Sequence, residues 1–99
     1  MTTTNVSNEG GGSGNNKKQK KEKLNVTATN TIANTTENIL EVETFTLIVN
    51  GVNYQTGAGE PVGVTAGAAT VSWTPSAFGT QDAFDIETTD NVYAEYLYL

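Results

Sequence analysis

Residues 39–54 read "ILEVETFTLIVNGVNY", a run of β-branched, aromatic and other apolar residues crossed by Asn50–Gly51. Val, Ile, Thr, Phe and Tyr suit a pleated, half-buried surface, so 39–49 is expected to be a strand. Its apolar positions change parity along the way: Leu40 and Val42 fall on one side, Phe45, Leu47 and Val49 on the other. A β-bulge near Glu43–Thr44 would reconcile the two halves, since one extra residue flips every side chain beyond it. Asn-Gly is the preferred pair for a type I′ turn, because both central residues need positive φ. Such a turn sets Val49 opposite Val52 and Leu47 opposite Tyr54, on one face of an antiparallel ribbon.

The pattern continues downstream. "QTGAGEPVG" (55–63) reads as a loop from its glycines and proline, with Val62 and Val64 opening a short strand. In "AATVSWTP" (68–75) Val71 and Trp73 share a face, and Pro75 ends the segment. "PSAFGT" then reads as a turn, and "DAFDIET" (82–88) as a strand with Phe84 and Ile86 inward and Asp85 and Glu87 outward. "VYAEYLYL" (92–99) is a last strand. No stretch shows a helical period. Five or six short strands separated by turns predict an all-β fold, a small antiparallel sandwich or roll with a flexible N-terminal arm. Trp73 and Phe84 are expected in its core.

Upstream the composition changes. All eight aromatic residues lie in the acidic body, residues 39–99, and none in residues 1–38. Residues 1–23 hold a Thr/Asn-rich start, "GGGSG" at 10–14 and then "NNKKQKKEK". A segment so poor in apolar residues is expected to be a disordered arm. Residues 24–38, "LNVTATNTIANTTEN", place Leu24, Val26, Ala28 and Ile32 on one parity, as in an extended linker or pairing strand. Its asparagines favour turns, and its partner is open between this chain and a neighbouring subunit.

Charge divides the chain in the same way. Lys17, Lys18, Lys20, Lys21 and Lys23 are its only cations. Residues 17–23 therefore carry +4, whereas residues 24–99 carry −9 without one base. An acidic body repels nucleic acid and anionic lipid, so contact with either is expected through the lysines alone. Nucleic-acid binding there rests on charge only, with no arginine and no interleaved aromatic residue. Docking onto an acidic protein surface is the best functional role for the five lysines, and a plain solubilising tail is the alternative to any such role.

The remaining motifs are weak. No cysteine or histidine is present, which excludes disulfides and the usual nitrogen and sulfur zinc sites. Asp82, Asp85, Glu87 and Asp90 resemble calcium ligands in type, but Phe84 and Ile86 alternate with them as on a solvated strand face. "GAGEPVG" opens no helix, so it lacks the context of a nucleotide-binding fingerprint. The sequons at Asn5, Asn25 and Asn34 are common by chance in an Asn- and Thr-rich chain. The N-terminus has neither the basic nor the apolar region of a signal peptide, and no run approaches the ~20 apolar residues of a membrane helix. Without histidine, general acid–base chemistry lacks its usual group, so neither an enzyme nor a cofactor is expected.

A body of about 60 residues lacking disulfides and metal is marginal alone, which points to oligomerisation. The last strand agrees: Tyr96 and Tyr98 lie on one parity and Tyr93, Leu97 and Leu99 on the other. A strand apolar on both faces is expected to be covered on both sides, by its own sheet and by a partner; the alternative is a central strand of a single compact sandwich. A Lys-bearing N-terminal arm, a short Asn/Thr/Gly-rich β-body and an apolar C-terminal strand together resemble small structural proteins of bacteriophage virions, of the decoration, minor capsid or spike-base type. That resemblance is one of organisation. It implies a non-enzymatic, multi-copy virion component with other capsid proteins as partners, anchored by its arm and exposing its acidic body. The alternatives are a bacterial cell-surface adhesion module of immunoglobulin-like shape, touching glycans through loops such as 55–63, and a nucleic-acid-binding protein acting through the arm.

Overall fold

The computed structural model describes residues 16–75 and 84–99. They form two four-stranded antiparallel sheets, and no helix longer than a single 3₁₀ residue occurs among them. The strands are β1 (Lys18–Leu24), β2 (Val26–Ala28), β3 (Thr31–Ile32), β4 (Thr46–Val49), β5 (Val52–Gln55), β6 (Val62–Val64), β7 (Val71–Trp73) and β8 (Val92–Tyr98). One sheet has the order β1-β8-β4-β5 and the other β2-β3-β7-β6. The all-β expectation holds, with more and shorter strands than five or six.

The β4–β5 hairpin follows the expected register. Asn50 and Gly51 have φ of 51° and 86°, both positive, and Val49 pairs with Val52 and Leu47 with Tyr54. The parity change before it has a different cause from the expected bulge. Residues 42–45 form a turn closed by Phe45 N–H donating to the Val42 carbonyl at 3.1 Å, and β4 starts only at Thr46. Residues 39–40 cross between the sheets instead of extending β4. Ile39 N–H donates to the Ala68 carbonyl, and Leu40 N–H to the Leu97 carbonyl, each at 2.8 Å. Ile39 is thereby fully buried.

The core lies between the sheets. Leu24, Leu47, Val49, Val92, Ala94 and Tyr96 come from the first, and Val26, Ile32, Val62, Val71 and Trp73 from the second. Ile39, Phe45 and Ile86 fill the ends from connecting segments. Tyr54 meets Trp73 across the gap edge to face, with centroids 5.2 Å apart, and Phe84 packs on Trp73 at the same distance. The buried indole N–H is satisfied by the Phe84 carbonyl at 3.2 Å, as a buried tryptophan requires. Trp73 is in the core as expected, while Phe84 is half-buried at its margin.

Two further expectations change. The segment 82–88 is not a strand in its described part, residues 84–88, and residues 82–83 lie outside the described residues. Burial still alternates there, with Ile86 inside and Asp85 and Glu87 outside, but one asparagine replaces the ladder. Asn30, at φ 58°, donates its backbone N–H to the Ile86 carbonyl and accepts the Ile86 N–H on its side-chain oxygen. The segment 24–38 likewise pairs inside its own chain. β2 and β3 form a hairpin around Thr29–Asn30, and β3 continues onto β7. Only Asn25 separates β1 from β2, so one run of chain leaves the first sheet and enters the second.

Candidate docking surface: the lysine strand

Four of the five lysines sit in β1 and the fifth, Lys17, just before it. For residues 18–23 the disordered arm is therefore replaced by an ordered strand; the expectation for residues 1–15 lies outside the described residues. β1 pairs with β8 over its whole length, from Lys18↔Tyr98 to Leu24↔Val92. Charge composition alone misses this, because a lysine stem is four methylenes that can lie on an aromatic ring while the ammonium stays in water. Lys18 and Lys20 both hold their ammonium 5.8 Å from the centroid of Tyr98, and Lys21 does the same over Tyr93. Burial has a period of two at Lys20, Glu22, Leu24 and Val26, but only Leu24 and Val26 are apolar, so the sequence signals the strand from Leu24 onward alone.

Glu22 fastens the strand. Its carboxylate accepts the Tyr96 hydroxyl at 2.5 Å and both the backbone N–H and the hydroxyl of Thr36 at 3.0 Å. Tyr96 Oη in turn accepts the Glu37 N–H at 3.2 Å. Partial burial alone would raise the Glu22 pKa. The hydrogen bonds from Tyr96 and Thr36, with the charge of Lys20, outweigh that and hold the carboxyl below its ordinary range. The Tyr96 hydroxyl is pushed up by burial and by its bond to Glu22.

The lysines divide by what they meet. Lys17 bonds Glu41 at 2.7 Å, and Lys20 approaches Glu37 at 3.8 Å. Among the described residues Lys18, Lys21 and Lys23 form no ion pair. Lys21 and Lys23 project from the outer face of the sheet, beside Glu95 and Tyr93 respectively. β1 is also the end of its sheet, and among the described residues no strand lies beyond it. The structure thus brings all five cations to one seven-residue edge.

The C-terminal strand separates into two sets. β8 is central, with β1 on one edge and β4 on the other, so its own sheet covers both edges. Tyr96 is 1% exposed within the single chain and is removed from the expected oligomer interface. Tyr98 is half-buried beneath Lys18 and Lys20. Tyr93 and Leu99 are exposed and Leu97 half-buried, on the outer face. A cleft of about 290 Å³ opens at the end of β8, with Leu40, Gly67, Tyr98 and Leu99 in its wall.

The acids at the other end have structural partners. Asp85 accepts the Asn30 amide, Glu87 accepts the Thr29 hydroxyl, and Asp90 accepts both the Glu87 N–H and the Asn50 amide. Those two bonds hold the Asp90 carboxyl below its usual pKa. Tyr54, the aromatic residue just before loop 55–63 in the sequence, packs on Trp73 and Phe84 in place of standing at the surface as a platform. Comparison with protein-family models, with characterised proteins and with solved structures finds no match.

Proposed function

We propose that the chain is a non-enzymatic structural component of a larger assembly, of the kind that bacteriophage decoration and minor capsid proteins represent, held there by its lysine strand. One observation carries this reading: all five cations lie at one sheet edge of a body that is otherwise −9. An edge so charged approaches an acidic surface favourably and orients the rest of the molecule away from it. Tyr93, Leu97 and Leu99 on the adjoining outer face supply the apolar part of such a contact. The anchor is then a rigid strand of the sandwich, and the body it displays is acidic.

Lys18→Gln, Lys21→Gln and Lys23→Gln combined remove the three cations without ion pairs. Co-sedimentation with the native particle is the test. The substituted protein is expected to lose association while keeping its thermal unfolding transition. Equal association of both proteins overturns the reading. Association with nuclease-sensitive material alone would assign the lysines to nucleic acid.

A further inference from the structure

We infer that the edge of β1, open among the described residues, is a strand-addition site selective for an acidic extended segment of a partner protein. This deepens the reading of β1 as the contact surface and rests on it. The backbone is the first argument. In an antiparallel pair only alternate residues of an end strand bond their neighbour, and the rest aim N–H and C=O groups outward. β1 is paired with β8 over all seven residues, so its outward groups form a straight, regular row. A row of that kind is a template for one more strand.

Charge supplies the selection. Lys18 and Lys20 stand on the inner-face parity of β1 and Lys21 and Lys23 on the outer, so an incoming strand meets cations on both faces. Opposite charges on neighbouring strands favour pairing, and like charges directly opposite oppose it. A glutamate-bearing strand is favoured several times over. A second copy's β1 would set lysine against lysine and is rejected. The other open edge of the sheet, β5, reads Val52–Asn53–Tyr54–Gln55 without a charge and offers no such selection. Glu22, the one acid of β1, is turned inward and consumed by Tyr96 and Thr36, so it does not repel the newcomer.

The test uses the full chain and three nine-residue probes. One alternates glutamate with threonine and valine, one carries lysine in place of glutamate, and one keeps the glutamates with two central prolines. Heparin serves as an anion that is not a strand. Amide hydrogen exchange and backbone NMR shifts are followed residue by residue. The acidic probe is expected to slow exchange at alternate β1 amides by about tenfold or more, equivalent to about 1.4 kcal/mol. The lysine and proline probes should give no such protection, and Lys18→Gln/Lys21→Gln/Lys23→Gln should abolish it with the acidic probe. Heparin should shift lysine side chains without protecting β1 amides. Equal binding of the proline probe, or no amide protection by the acidic probe, overturns strand addition. Particle association that still needs the lysines would then leave the broader reading standing, and association that does not need them would remove both.

Discussion

Glu22 is the residue on which the attachment of β1 turns. One carboxylate collects three hydrogen bonds, from Tyr96 and from both donors of Thr36, and so joins β1, β8 and the crossing segment. Glu22→Ala is expected to destabilise the protein by about 1–3 kcal/mol, as for hydrogen bonds to a charged group, read by denaturant unfolding. The pH dependence has a definite sign. The folded pKa lies below the ordinary 4.5, so this contribution is fully present above that value and is lost as pH falls through the folded one. Tyr96, Thr36 and Lys20 are the groups that hold it in the ionised form. Glu22→Gln should therefore flatten the acid limb of the stability curve; an unchanged limb would assign acid sensitivity elsewhere. At the opposite pole of the core, Trp73→Ala is expected to cost about 3–5 kcal/mol, since the indole is buried and its N–H is bonded. A loss below about 1 kcal/mol would place Trp73 outside the core.

At the scale of elements, β1 separates composition from structure. Leu24 is its only fully buried side chain, yet seven register pairs and the Glu22 bonds hold it. Leu24→Ala is expected to cost about 2–4 kcal/mol. Neutralising Lys18, Lys21 and Lys23 should stay within about 0.5 kcal/mol by thermal unfolding, because those ammonium groups are solvated. A chain beginning at Asn25 should be strongly destabilised and prone to aggregate, having lost one edge of β8 and the partner of the Tyr96 hydroxyl. Local chemistry was legible where a single rule dominates: Asn50–Gly51 dictates its turn, and Val71 and Trp73 dictate the inner face of β7. Three features were not legible, each for a tertiary reason. Ile39 is buried by two backbone bonds to other segments; Asn30 holds Ile86 without a ladder; and the lysine stems gain a surface only once Tyr98 and Tyr93 are in place. The candidate site was legible as five residues, Lys17 to Lys23, but not as a strand.

Across the whole molecule, β1 enlarges the folded unit beyond the expected 39–99 and completes a sandwich whose inner faces close on themselves. The cations then lie along one edge, in company with Glu22, Glu37, Glu41 and Glu95, and the adjoining flank carries Tyr93, Leu97 and Leu99. The central claim is that the lysines belong to the sandwich. Trypsin tests it directly, because the chain has no cleavage site beyond Lys23. Within β1, cutting after Lys20, Lys21 or Lys23 requires the strand to leave β8. The appearance of fragments beginning at Lys21, Glu22 or Leu24 is therefore to be timed under native conditions and across the unfolding transition. The account predicts that these fragments appear slowly and accelerate in step with unfolding, while the cut after Lys17, which lies before β1, comes earlier. Immediate release of residues 24–99 from the native protein, at the rate of an unstructured peptide, would contradict it.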